Sequence, residues 1–166
     1  MKKIADLNDL MIEQLRDLYH GEKKLEDLLP RMIANAENLE LKEVLEAYYK
    51  KCEAQIMRIR QVFELLFVQK RGVVCDAMVA MAKQTESLMD RSENTQVRDA
   101  SLITSLQHII HYQMAGYGAI CTYAQMLDLD NIAEIIHQNL EEAKETDRSL
   151  IGLAEREVNI KATQTA

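Results

Sequence analysis

Apolar residues recur with the period of a helix along the stretch from Asn94 to Met126. They lie mostly three or four positions apart, which is close to 3.6 residues per turn and predicts one long α-helix with a buried stripe. The apolar set is Leu102, Leu106, Ile109, Ile110, Tyr117, Ile120 and Ala124. Gln113 sits inside this stripe, and His108 and His111 flank it. A bundle helix with polar groups on its buried face is where a metal or cofactor is held, so this helix is the first candidate for a site.

The same period predicts two long helices before this stretch. Asp6 is the expected cap of the first helix, which runs to Ala36. Pro30 should kink or shorten that helix because proline removes a backbone donor. Asn38 is the expected cap of a second helix that reaches about Leu66.

A short helix and a last long helix complete the pattern. The short helix extends from about Val74 to Met89, and Ser92 or Asn94 then caps the long helix described above. Asp130 is the expected cap of the last helix, and the tail that begins at Asn159 is expected to fray.

Four long helices and no strand pattern predict an all-α four-helix bundle. The short extra helix lies in the crossover between long helices 2 and 3, which is the ferritin-like arrangement. One proline and five glycines leave few helix breakers. At 166 residues we expect a single ferritin-like domain over residues 1–166, with a frayed tail at about 159–166.

Composition narrows the possible functions. A net charge of −7 argues against a nucleic-acid partner, because phosphate binding needs a basic face. The N-terminus lacks the apolar core of a signal peptide, and no apolar run is long enough to span a bilayer, so we expect a cytoplasmic protein without a membrane partner. Cys52, Cys75 and Cys121 form no C-x-x-C pair, which predicts buried free thiols.

Acidic residues on apolar stripes are the candidates for metal ligands. Glu22 lies four residues after Leu18 and three before Leu25, so it falls on the buried stripe of its helix. Glu142 and Asp147 are inward candidates on the last helix. A buried carboxylate needs a cation, a lysine or a proton, because burying it without a partner is costly.

Two short motifs carry weaker signals. Glu134 and His137 form an E-x-x-H pair, but Glu134 faces away from the buried stripe, which favours a solvated face. His108 and His111 form an H-x-x-H pair, for which ordinary helix histidines are the better interpretation and metal ligation is the alternative.

Six segments together resemble the YciE/YciF family of ferritin-like bacterial stress-response proteins. The resemblance covers essentially the whole chain, and the segments are L-Y-x-x-E-K-x-L-x-x-x-L-P at 18–30, Q-I-x-R-I-x-Q-V at 55–62, C-x-A-M at 75–78, V-R-D-A-S-L-I at 97–103, H-Y-x-x-A-x-Y-G at 111–118 and L-E-E-x-K-x-T-D-x-x-L at 140–150. The resemblance implies a cytoplasmic, dimeric bundle with core carboxylates and a di-iron centre. It implies no firmly established enzyme activity.

This chain departs from the family at the positions of core carboxylates. Acidic positions of the family are occupied here by Lys51, Ile110, Gln113 and Ala143, and on the short helix by Val79 and Lys83. The matching residues that remain, and hence the metal candidates, are Glu22, His111, Glu142 and Asp147. A di-iron site needs several anionic ligands, so the resemblance implies a site that has been dismantled.

We therefore expect a stress-associated, ferritin-like protein with a degraded di-metal site and a non-enzymatic structural or interaction role. The alternative is a di-iron or mononuclear metal protein with oxidase or peroxide-detoxifying chemistry. We expect no cofactor, or iron or manganese if there is one. A homodimer is expected, with Leu39 and Tyr48 as candidate surface residues, and a metal-bearing paralogue is a further candidate partner.

Lys51 is the one cation among the substituted positions. An ammonium group can hold buried carboxylates in their ionised form. We therefore expect Lys51 to reach the interior of the bundle and to pair with Glu22 or Glu142.

Overall fold

The computed structural model describes residues 3–164, and within that range every regular element is helical. Five helices make up most of the chain, and a π-helical turn and a short α-helix follow them. The helices are α1 (Leu7–Asn35), α2 (Leu39–Leu65), α3 (Asp76–Arg91), α4 (Thr95–Met126), α5 (Asp130–Leu153) and α6 (Asn159–Thr163), with the π-helical turn at Ala154–Val158.

Polar caps start the first, second and fourth helices as the sequence predicts. The Asp6 carboxylate accepts a hydrogen bond from the backbone N–H of Asp9 at 2.7 Å. The Asn38 side chain accepts from Leu41, and the Asn94 side chain accepts from the first turn of α4. Each cap satisfies a backbone donor that has no partner inside its own helix.

The four long helices form an antiparallel bundle around one aliphatic core. Side-chain contacts pair the start of each long helix with the end of its neighbour, and α3 packs across α1 and α4. The core is lined by leucine, isoleucine, methionine and alanine, with Tyr48 and Tyr117 as its largest buried side chains. The predicted ferritin-like four-helix bundle with a short helix in the crossover is confirmed by this all-helical arrangement.

Several element boundaries differ from the prediction for local physical reasons. α1 continues through Pro30 to Asn35, because Pro30 is exposed and the lost hydrogen bond falls on the wet face. α3 begins at Asp76 because the sulfur of Cys75 accepts from the N–H of Met78 and caps the helix. Asp130 is not a cap but the first residue of α5, which begins without a side-chain cap.

The C-terminal segment is also more regular than expected. Residues 159–163, expected to fray, form α6, whereas residues 165 and 166 lie outside the described residues. The π-helical turn widens the helix by one residue per turn and directs Glu157 toward Asn38, whose side-chain amide donates to the Glu157 carboxylate at 2.8 Å.

Candidate functional site

Glu22 lies at the centre of the bundle and is completely buried, as its place on the stripe of α1 predicts. The amide of Gln113 donates to Glu22 Oε1 at 2.5 Å, and the hydroxyl of Tyr117 donates to the same oxygen. The thiol of Cys52 donates to Oε2 at 3.3 Å. Two helices, α2 and α4, therefore supply three neutral donors to one carboxylate on α1.

The orientation of the Gln113 amide is set by a second tyrosine. The hydroxyl of Tyr48 donates to Gln113 Oε1 at 2.8 Å, which leaves the amide N–H₂ of Gln113 to face Glu22. Both ends of this amide are thus satisfied inside the core. We call Glu22, Tyr48, Cys52, Gln113 and Tyr117 the Glu22 network.

Burial raises the pKa of the Glu22 carboxyl from 4.5 to about 7. The hydrogen bonds from Tyr117, Cys52 and Gln113 lower it, but they do not offset the loss of water. Burial likewise raises the pKa values of Tyr48, Tyr117 and Cys52, so these groups remain protonated donors at neutral pH. Among residues 3–164, no cation hydrogen-bonds to Glu22.

Glu142 has a cationic partner, which is Arg58. Two nitrogens of the Arg58 guanidinium donate to the two oxygens of Glu142 at 2.8 and 2.7 Å. Arg58 also donates to Asn139 Oδ1 at 2.9 Å, and Gln55 donates to Glu142 Oε2 at 3.1 Å. This bidentate pair connects α2 to α5. The other side-chain atom of Gln55, Oε1, is buried and has no hydrogen-bond partner among the described residues.

The expected partner of Glu142 or Glu22 was Lys51, and that prediction is wrong. Lys51 lies at the edge of the α2–α5 contact, where its amine pairs with Glu145 at 2.5 Å. Its side chain keeps 29% of its exposure and that of Glu145 keeps 63%. The reason is the helical angle: position 51 lies half-way between the stripe and the outer surface, whereas Arg58 is long enough to reach Glu142.

The other two metal candidates contact each other. His111 Nε2 lies 3.2 Å from Asp147 Oδ2, and Gln107 donates to Asp147 Oδ1 at 3.1 Å. Asp147 is nearly buried, but the side chain of His111 is 60% exposed. His108 is exposed as well, so the H-x-x-H pair lies on the surface of α4.

The remaining sequence candidates fall at the surface or deep in the core. Glu134 and His137 are both exposed, as the helical period predicts. Tyr48, a candidate for the dimer surface, is completely buried, because its hydroxyl has a partner in Gln113. It cannot contribute to an interface, whereas Leu39 is exposed.

The four metal candidates divide into separate groups. Glu22 is surrounded by neutral donors, Glu142 is bound by Arg58, and His111 pairs with Asp147. Nowhere in residues 3–164 do three or more histidine, cysteine, aspartate or glutamate side chains converge in a way that could hold a metal ion. An ion at Glu22 or Glu142 would have to displace hydrogen-bond donors or a guanidinium group.

The sequence alone did not identify every member of these clusters. The sequence did not predict that Arg58 and Asn139 belong to a polar cluster, although Arg58 lies one turn after Gln55 on the side of α2 that faces α5. Cys52 and Tyr117 were assigned only to the apolar stripe. Their polar atoms point at Glu22, which only the helix-to-helix packing could reveal.

None of the helices in the described part of the chain combines the length and apolar character needed to cross a membrane.

Known proteins are similar to this chain over nearly its whole length. Residues 6–163 match the model of a domain of unknown function, DUF892. The chain is 34% identical to protein YciF of Escherichia coli K12 over 161 residues, which cover 96% of this chain and 97% of YciF.

Solved structures are similar over nearly the whole chain. The Escherichia coli stress protein YciF superposes with a TM-score of 0.89 at 32% identity, covering 94% of this chain and 99% of YciF. YcfI from Rhodopseudomonas palustris, described as a proposed structural protein, superposes with a TM-score of 0.88 at 31% identity and covers 90% of this chain and 95% of its own. A Xanthomonas campestris protein at 18% identity and a TM-score of 0.74, covering 96% and 98%, shares the fold.

Proposed function

Because this chain belongs to the DUF892 family, which its similarity to YciF also supports, we propose that it is a stress-associated protein with a structural or interaction role. It is not an enzyme in this proposal, and its di-metal site is degraded. It acts in the cytoplasm as a homodimer, and a metal-bearing paralogue is a further candidate partner. The stress association rests on the description of YciF as a stress protein, and the structural role on that of YcfI.

The observation that carries the proposal is the environment of Glu22. Its oxygens accept hydrogen bonds from an amide, a phenol and a thiol, which are groups that satisfy a carboxylate without leaving a coordination position. A di-metal centre in a bundle needs several inward carboxylates. Here Gln113 and Ala143 are buried at positions where the family resemblance implies acids.

Metal loading tests this proposal directly. The purified chain is incubated anaerobically with Fe²⁺ or Mn²⁺, desalted and analysed for metal by mass spectrometry. We expect far less than one bound ion per chain and no consumption of peroxide above that of free metal. Stoichiometric binding together with peroxide or oxidase turnover would overturn the proposal.

A restored variant provides the positive control. Lys51→Glu, Ile110→Glu, Gln113→Glu and Ala143→Glu together return the acids that the family resemblance implies. Measured by the same procedure, this variant should bind more metal than the parent, because anionic oxygen ligands suit Fe²⁺ and Mn²⁺.

A mononuclear metal protein is the second candidate function. The observation in its favour is the approach of His111 to Asp147, which brings an imidazole and a carboxylate together at the surface of the α4–α5 contact. In that case His111→Ala should abolish the metal binding that the parent shows, whereas Glu22→Gln should leave that binding unchanged.

A further inference from the structure

The short helix α3 lies outside the core of the four long helices. It packs across α1 and α4. Of its sixteen residues, all of which the structure describes, three are buried: Met78, Thr85 and Met89. This share is smaller than in any of the four long helices. An element that buries few side chains opens at a lower free energy than the core of the same protein.

The chain turns at both ends of this element. Phe67 follows α2 with a φ of 53°, the left-handed conformation that commonly ends a helix. Its side chain is 97% exposed, and that of Val74 is 69% exposed. At the other end, α3 stops at Ser92, and Asn94 caps α4. We call residues 67–91, which lie between these two turns, the lid.

Cys75 fastens the start of the lid to α1 and α4. Its backbone N–H donates to Nδ1 of His20 at 3.2 Å, and its sulfur lies 3.2 Å from the hydroxyl oxygen of Tyr112. That hydroxyl donates to the carboxylate of Asp17, so the thiol donates to Tyr112. We call these four residues the Cys75 latch. Its bonds are only partly buried, and they are all that the latch contributes to holding the lid.

Under the middle of the lid, α1 carries a glycine. A Cβ at Gly21 would lie 2.9 Å from Cγ of Met78, so the methionine fits there only while position 21 has no side chain. Gly21 precedes Glu22 in α1, and Tyr112 of the latch precedes Gln113 in α4. Glu22 and Gln113 are themselves hydrogen-bonded. The lid therefore covers the seam between α1 and α4, behind which the Glu22 network lies.

We propose that the lid opens as one unit while the four long helices stay packed, and that this opening uncovers the seam in front of the Glu22 network. Opening breaks the Cys75 latch, the contact between Gly21 and Met78, and the ion pair between Arg31 and Glu86. The side chains of that ion pair are exposed, so it adds little to the closed state. The lid thereby controls how water reaches the buried polar groups.

Native-state hydrogen exchange separates this opening from global unfolding. Peptides from α3 should exchange through an opening of smaller free energy and smaller urea dependence than peptides from α5. Gly21→Ala strains only the closed lid and should speed the exchange of α3 about tenfold. Arg58→Met breaks a contact between α2 and α5 that stays formed when the lid opens. It should speed the exchange of α5 and leave that of α3 unchanged.

Two more variants complete the comparison. Gly118→Ala adds the same Cβ to α4, where it would meet nothing within 4 Å, and should not speed the exchange of α3. Cys75→Ala removes the thiol of the latch and the cap of α3 without enlarging any side chain. It should speed the exchange of α3 even where Met78 adapts to the new Cβ of Gly21→Ala.

Thiol alkylation measures the same opening independently. Cys75 belongs to the lid and Cys52 to the Glu22 network, and both are buried. With iodoacetamide and mass spectrometry, Cys75 of the parent should be labelled at least about tenfold faster than Cys52. Gly21→Ala should speed the labelling of Cys75, whereas Arg58→Met should speed that of Cys52 alone.

Two results would overturn the lid. The first is exchange of α3 and α5 with the same free energy of opening, together with an equal effect of Arg58→Met on both, since α3 then opens only with the whole bundle. The second is exchange of α3 that neither Gly21→Ala nor Cys75→Ala speeds, since the contacts named above then do not hold the lid closed.

Discussion

At the scale of single residues, the most informative side chain is Glu22. It is an acid buried among neutral donors, and the cause of its raised pKa is the absence of water. Arg58 shows the opposite solution, since its guanidinium holds Glu142 by two hydrogen bonds at the margin of the core. The surroundings of the two acids therefore differ. Glu142 has a cation within reach, whereas Glu22 accepts hydrogen bonds from neutral groups.

Glu22 should give the protein a pH-dependent stability. The pKa of Glu22 is about 7 in the folded chain against an ordinary 4.5, so the folded state retains a proton that the unfolded state loses. Stability from this group is fully present below about pH 4.5 and is lost as pH rises to about 7, by on the order of 3 kcal/mol. Glu22→Gln should remove this dependence.

Urea unfolding of the parent and of Glu22→Gln at pH 5 and pH 8 measures the effect. Relative to the variant, the parent should have a lower free energy of unfolding at pH 8 than at pH 5. Parallel changes in the two proteins would mean that Glu22 does not titrate in this window.

At the scale of elements, helix contacts depend on a few close approaches. Gly116 on α4 faces Leu18 on α1, and a Cβ at Gly116 would lie 2.9 to 3.1 Å from three carbons of that leucine. Two residues further along the same helix, a Cβ at Gly118 would meet nothing within 4 Å. The two glycines therefore have different roles in one helix.

Alanine substitutions separate these roles. Gly116→Ala should lower the free energy of unfolding by about 1–2 kcal/mol, because overpacking against Leu18 exceeds the gain in helix propensity. Gly118→Ala should raise it by about 0.5–1 kcal/mol, because propensity acts there without a clash. Thermal and urea unfolding of both variants provides the test, and equal shifts of the same sign would contradict the packing argument.

The contact between α2 and α5 offers a second matched pair. Arg58→Met should destabilise the protein by about 2 kcal/mol, between the values typical of exposed and buried ion pairs, because Glu142 and Asn139 lose their donor. Lys51→Ala should cost less than about 0.5 kcal/mol, because its pair with Glu145 is exposed. If Lys51→Ala proves the more damaging change in urea unfolding, the assignment of Arg58 as the partner of the core acid is wrong.

At the scale of the whole molecule, polar groups occupy two levels of the bundle. The Glu22 network lies in the middle, and Asp99 closes one end. The Asp99 carboxylate accepts from the backbone N–H groups of Glu37 and Asn38, both at 2.9 Å, which joins α4 to the turn between α1 and α2. This end therefore depends on one buried acid that bridges three helices.

Removing that acid should open this end of the bundle. Asp99→Ala leaves two backbone donors without partners and should cost about 1–3 kcal/mol in the free energy of unfolding. Hydrogen exchange at Glu37 and Asn38 should accelerate in the same variant. Asp99→Asn retains one acceptor oxygen and should have an intermediate effect. Unchanged exchange in Asp99→Ala would show that water replaces the carboxylate.

The sequence by itself determined the helices and their register around the core. A period of 3.6, few breakers and the caps at Asp6, Asn38 and Asn94 are local features, so they can be read without knowing the contacts. The buried position of Glu22 followed from the same period. The start of α3 was missed because a cysteine sulfur is an uncommon cap.

Only the tertiary structure decided which polar groups meet. Lys51 and Arg58 are both cations on α2, and the period alone could not determine which one reaches the acids of α5. The sequence pattern assigns Cys52, Tyr48 and Tyr117 to apolar positions, yet their polar atoms belong to the Glu22 network. Hydrogen bonds of the Glu22 network join residues up to 95 positions apart, and their geometry depends on the packing of whole helices, which a local pattern does not contain.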